Sequence, residues 1–207
     1  MLVALDESPL VVSPDRAPVN EAVAYMAIAD ALYDADFWPQ LAQALADAED
    51  GDGTGLLAGY DSYFQRNEDG TWPNVIEAMT AVLCADTDPG EPVPDEAELT
   101  ARFQQAAPRL WPIFAGDSFC SEWPVPGAGR VVITGAGAGP IVVVGVTGDP
   151  ATPLDSSRAM AGALEQGRLV VVEADQHIGY GLNDCVDDAV DTYLTELVLP
   201  PEGLVCR

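Results

Sequence analysis

Along the first half of the chain, apolar residues recur at spacings of three and four, the pattern of helices with one buried face. Asn20 stands as N-cap to a helix carrying Ala22, Val23, Met26, Ala27 and Ala29 to Leu32. A second helix is predicted through Phe37, Trp38, Leu41, Leu45 and Ala48, ending at Gly51, with Pro39 in its first turn, where Pro is tolerated. A third covers Leu56 to Phe64, a fourth Pro73 to Cys84, and a fifth about Asp95 to Ala107. Five helices without an intervening strand predict an all-α module over residues 19–110. Residues 1–18 contain three prolines and no clean periodicity, and are expected to form an N-terminal tail.

Beyond this module the period changes. Residues 111–139 are rich in Pro, Gly and Trp and predict an irregular connection. Ile141–Val146 is then apolar at every position, which fits a strand covered on both faces, as in a parallel sheet. A helix is predicted over Asp155–Leu164, a second strand over Arg168–Glu173 and a final amphipathic helix over Asp184–Leu197. The order β-α-β-α over residues 140–207 implies a parallel crossover. The fold class expected is therefore α/β, with few strands, preceded by an all-α unit.

Composition narrows the function. The chain has 34 acidic and 8 basic residues, all of the latter Arg, for a formal net charge of -26. Such a field repels phosphate backbones and anionic lipid heads, so no nucleic-acid and no membrane-surface partner is expected. No apolar stretch reaches transmembrane length, and the first residues lack the cationic and apolar regions of a signal peptide. Cys84, Cys120, Cys185 and Cys206 form no C-x-x-C pair, and with a single His they do not make the usual zinc site. An even, widely spaced set suits two disulfides in an oxidising compartment. Three pairings can be drawn; Cys84–Cys120 with Cys185–Cys206 is favoured, because each bond then closes a segment of one structural unit. No cofactor is implied.

The two strand ends carry the chemistry. Ile141–Val146 runs into Thr147-Gly-Asp149-Pro-Ala-Thr-Pro153, and the second strand into Ala174-Asp-Gln-His177-Ile-Gly-Tyr-Gly181. Sites in open parallel sheets gather beyond the carboxyl ends of strands. Adjacent strands lie about 4.8 Å apart, close enough for a carboxylate to bond an imidazole. A carboxylate there fixes the imidazole tautomer, and the other ring nitrogen can take a proton from a serine hydroxyl. Alone, His177 would read as a surface-loop histidine and Asp149 as a turn or capping residue. Together, in acid-then-base order after successive buried strands, they read as two members of a catalytic triad.

These segments, with Asn183-Asp-Cys185-Val-Asp-Asp-Ala-Val-Asp-Thr-Tyr193 and Val205-Cys206, resemble the TAP-like C-terminal domain of tripeptidyl-aminopeptidase-type α/β-hydrolases. Phe37-Trp38-Pro39, Gly51-Asp-Gly-Thr54, Cys120 and Trp123-Pro124 resemble the same family, so the likeness covers most of the chain from about residue 20. The resemblance implies a helical cap over residues 19–110 and the last strands of an α/β-hydrolase sheet over residues 140–207. It implies Asp149 as triad acid, His177 as triad base, a Cys185–Cys206 disulfide, a peptide or ester substrate, and an extracellular or cell-envelope setting. Gln176 departs from it, since the family usually has Gly before the His.

The family's nucleophile, in G-x-S-x-G on a strand-to-helix elbow, is absent from the sequence. The nearest string, Gly116-Asp-Ser118-Phe-Cys120, lacks the last Gly and follows no buried strand. The chain is therefore expected to be inactive alone: a truncated frame, a gene remnant, or half of a pair completed by an N-terminal hydrolase partner. Two rivals are a non-catalytic acidic binding module and a rearranged hydrolase using Ser118. Asp50-Gly-Asp-Gly-Thr-Gly55 with Asp61 follows a calcium loop at several positions, but Asp61 stands where the longer Glu belongs. The ordinary reading is an acidic interhelix turn with Thr54 as cap.

Overall fold

The structure is a computed structural model that describes residues 1–86, 95–111, 120, 123–125, 127–129 and 131–207. Ser118 lies outside the described residues. The chain divides into two compact units. One comprises Met1–Asp30 with Leu41–Val131, the other Ala31–Gln40 with Val132–Arg207.

The first unit is helical among its described residues. Its elements are α1 (Leu2–Glu7), most of α2 (Glu21–Leu32) and α3 (Trp38–Glu49), α4 (Thr54–Tyr63), α5 (Val75–Ala85) and α6 (Glu96–Ala106). The five predicted helices are present within a few residues of their expected ends. Many of the buried positions are small: Ala24, Ala27, Ala44 and Ala48 join Leu5, Val19, Leu56 and Leu57 in one core. Small residues let helices approach closely. A Cβ at Gly55 would lie 2.6 Å from Ala44 Cβ, and one at Gly59 2.9 Å from Ala27 Cβ. Residues 1–18, expected to be a tail, instead contain α1, which buries Leu5, and Leu10, which bridges antiparallel to Val19. The three prolines hid this, because a six-residue helix and a single bridge leave too short a pattern to read. Cys84 and Cys120 are bonded, with Cα atoms 5.1 Å apart.

In the second unit, β1 (Ile141–Val146), β2 (Gly167–Val172) and β3 (Val205–Cys206) form a parallel sheet in that order. Helix α7 (Leu154–Ala163) joins β1 to β2, and α8 (Asp184–Glu196) precedes β3. Ile141 pairs with Gly167 and Val146 with Val172, so the carboxyl ends of β1 and β2 are level. Strand β3 was not anticipated; two residues carry no periodicity. The continuous apolar run of β1 is also less covered than expected. Ile141–Val144 are only half-buried among the described residues, whereas Gly145 and Val146 are buried. Gly145 interrupts the valines because a Cβ there would lie 2.7 Å from Ser157 Cβ and 2.8 Å from Leu154 Cδ1 on α7.

The core of this unit is small: Val146, Val170, Val172, Val186 and Cys206. Burying one valine contributes about 1.5–3 kcal/mol. The Cys185–Cys206 disulfide, with a sequence separation of 21, contributes about 3 kcal/mol on the chain-entropy view. The bond thus matters as much as one or two core side chains. It joins the first turn of α8 to β3, and Asn183 caps the same turn by accepting from Cys185 N and Val186 N.

Candidate active site

The two loops that leave β1 and β2 are laced together. Thr147 N donates to Val172 O at 3.0 Å and Gly148 N to Ala174 O at 2.8 Å, carrying the ladder past the strand ends. Thr147 Oγ1 donates to Ala174 O and accepts from Ala174 N, both at 3.1 Å. Gly148 permits this approach: a Cβ there would collide with the Asp175 carboxylate and lie 2.9 Å from Ala174 O. The next residue of the first loop is Asp149.

Asp149 is both a turn residue and a hydrogen-bond partner of His177. Its Oδ1 accepts from Ala151 N at 2.8 Å and Thr152 N at 2.7 Å, and its Oδ2 accepts from Thr152 Oγ1 at 2.8 Å. His177 Nδ1 lies 3.0 and 2.9 Å from the same two oxygens. The Asp149 side chain is only 4% exposed. Burial pushes its pKa up, but the Thr152 and Ala151 amides, the His177 ring and the Thr152 hydroxyl outweigh it and hold the carboxyl at about 2. An ionised carboxylate only accepts hydrogen bonds, so the neutral imidazole facing it carries its proton on Nδ1. Nε2 then holds the lone pair, and no hydrogen-bond partner meets it among the described residues. The His177 side chain is 26% exposed.

The loop around His177 is tightly held. Ile178, with φ 70°, occupies the left-handed region, which is strained for a β-branched residue. Gly179 crosses the strand ends, where a Cβ would lie 2.8 Å from Val144 Cγ1 and 3.0 Å from Val172 Cγ2. Tyr180 Oη donates to Asp191 Oδ1 at 2.8 Å, which raises the Tyr180 pKa, and Gly181 N donates to Asp187 Oδ1 at 2.7 Å. Both acceptors lie on α8. Gln176, the departure from the family pattern, leaves the Asp149–His177 bond in place.

Sequence reasoning named Asp149 and His177 but missed Thr147, Thr152 and Tyr33. Thr152 could have been found, since a Thr three residues after an Asp in a turn is a capping spacing. Tyr33, whose carbonyl accepts from His177 N, carried no signal, because it comes from a distant part of the chain. In the calcium-like loop, Gly53 rather than Thr54 is the N-cap of α4, with no side-chain cap, and Asp52 accepts from Thr54 N at 2.9 Å in the turn before it. Asp61 is taken by Arg16, whose Nη1 donates at 2.8 Å. Among the described residues no group of three His, Cys, Asp or Glu could hold a metal ion.

A buried carboxylate bonded to an imidazole, beyond the level ends of two parallel strands, is the arrangement of hydrolases built on α/β sheets. Residues 113–206 match the family model described as TAP-like protein. The chain is 32% identical over 182 residues to the serine protease Hip1 of Mycobacterium tuberculosis (strain ATCC 25618 / H37Rv), covering 85% of this chain and 35% of that protein. It is 35% identical over 213 residues to carboxylesterase B of the same strain, covering 96% of this chain and 40% of that protein. Residues 113–206 therefore carry a TAP-like C-terminal domain, and the chain spans well under half the length of the curated relatives it matches.

Proposed function

We propose that the chain supplies the acid and the base of a serine-hydrolase active site, with Asp149 orienting His177. The nucleophilic serine and the oxyanion amides come from polypeptide outside these 207 residues, since the sequence holds no G-x-S-x-G. The reading rests on one observation: Nδ1 of His177 is committed to an ionised carboxylate, which leaves Nε2 as the basic atom. In the proposed reaction Nε2 takes the serine proton as the oxygen attacks a peptide or ester carbonyl. It then returns that proton to the departing amine or alcohol, leaving an acyl-serine that water cleaves by the same steps. The helical unit serves as the cap that selects substrate. Two disulfides fit an oxidising setting outside the cytosol, and no described helix is long and apolar enough to cross a membrane.

Labelling with a fluorophosphonate probe tests the proposal. The chain alone is expected to take no label. Co-expressed with the G-x-S-x-G-bearing N-terminal part of a relative, it is expected to support labelling of that serine, and His177→Ala should slow this by roughly 10³-fold or more. Labelling of the chain alone, lost in Ser118→Ala, would overturn the assignment.

A further inference from the structure

The imidazole of His177 is held from two sides. Asp149 takes Nδ1. A second contact is Tyr33, in the Ala31–Gln40 segment that belongs to the same unit. The main-chain N–H of His177 donates to the Tyr33 carbonyl at 2.7 Å. The two rings meet edge to face, with centroids 5.2 Å and planes 88° apart.

A hydrogen bond to Nδ1 fixes one atom of the ring but not its plane, because the χ2 torsion of His is broad. A perpendicular aromatic ring at that distance restricts the plane, and such pairs are favourable in their own right. The backbone beside the ring also needs support. Ile178 is strained, and strained residues persist only where their surroundings over-determine them. The bond from His177 N to Tyr33 O acts one residue from that strain.

We propose that Tyr33 is a positioning residue for His177. Its ring fixes the imidazole plane so that Nδ1 stays on Asp149 and Nε2 keeps one direction, while its carbonyl holds the strained loop beneath. The catalytic meaning of this rests on the acid–base reading above; the geometry does not. Ring and carbonyl make the contacts, so Phe should substitute for Tyr33 and Ala should not.

His177 is the only histidine in the chain, so its ring nitrogens give the only imidazole ¹⁵N signals and need no assignment. In the neutral wild-type ring, two well-separated ¹⁵N shifts of a single tautomer protonated on Nδ1 are expected, with cross-relaxation between the Tyr33 and His177 rings. Tyr33→Phe should keep both signatures. Tyr33→Ala and Tyr33→Leu should draw the two ¹⁵N shifts together as tautomers interconvert. Asp149→Asn should lose the Nδ1 tautomer yet retain the ring–ring cross-peaks. Missing cross-peaks in the wild type, or unchanged ¹⁵N shifts in a folded Tyr33→Ala or Tyr33→Leu chain, would overturn the proposal. The wild-type cross-peaks decide it even if a variant does not fold. If the tautomer responds to Tyr33 but the completed enzyme takes no fluorophosphonate label, the hydrolase reading falls and the positioning role stands.

Discussion

Asp149 stays charged in a nearly closed position because three donors from its own turn and one from His177 converge on it. That convergence has a pH signature whose sign is fixed. The carboxyl is held at about 2 in the folded chain against an ordinary value of 3.8. A depressed carboxyl stabilises the fold above its unfolded pKa and loses that contribution as pH falls towards the folded one. The difference corresponds to about 2–3 kcal/mol at most at neutral pH, and to less where water screens the turn. In urea melts of wild type and Asp149→Asn, the stability gap should close progressively between roughly pH 4 and pH 2. A gap that stays the same down to pH 2.5 would show that the carboxylate is not held as described. In the proposed reaction His177 depends on this neighbour, because an imidazole bonded through Nδ1 to the carboxylate has only Nε2 left for proton transfer.

At the scale of elements, glycines set how closely the parts of the site approach. Gly148 is the sharpest case, since a methyl group there meets backbone as well as the Asp175 side chain. Gly148→Ala should force the Thr147–Ala174 lacing apart, destabilise the second unit by about 1–3 kcal/mol, and separate Asp149 from His177. Gly139→Ala, whose added methyl meets nothing within 4 Å, is the matched control. Thermal melts read the first effect and loss of the single His177 tautomer reads the second; a Gly148→Ala chain that melts and titrates like the control would contradict both. Much of this architecture was legible beforehand. The five helices and two strands announce themselves because each repeats its period often enough to be read, and Asp149 and His177 follow from where those strands end. The N-terminal helix and β3 were hidden by being short. The part of Tyr33 was hidden for another reason: a contact made through a carbonyl and a ring edge, between segments remote in sequence, leaves no spacing or composition to detect. Half-burial of β1 was also illegible, because a run of valines looks the same whether one face or two are covered.

The whole molecule is dominated by its charge. With 34 acidic side chains and 8 arginines, most carboxylates have no cation to meet, and folding gathers them into a smaller volume than the open chain does. Self-repulsion of this kind lowers the stability of the compact state. Attraction works in the opposite direction. Arg16 binds Asp61, Arg158 binds Asp155 and Arg207 binds Glu173. Exposed pairs are worth about 0–1 kcal/mol each, whereas the uncompensated excess is 26 charges. Salt screens both, and the larger sum decides the sign. The screening length falls from about 30 Å at 0.01 M to about 10 Å at 0.1 M and 3 Å at 1 M. Raising NaCl from 10 to about 500 mM should therefore raise Tm by roughly 2–8 °C, on the scale of about 2–4 °C per kcal/mol for a chain of this length. The part-buried Asp149–His177 hydrogen bond should change little, because close, part-buried interactions are screened least. Thermal melts followed by circular dichroism give the first quantity and the His177 ring ¹⁵N shifts across the same salt series give the second. A Tm that falls with salt would mean that the few ion pairs outweigh the repulsion, and that the acidic surface is arranged to hold the fold together.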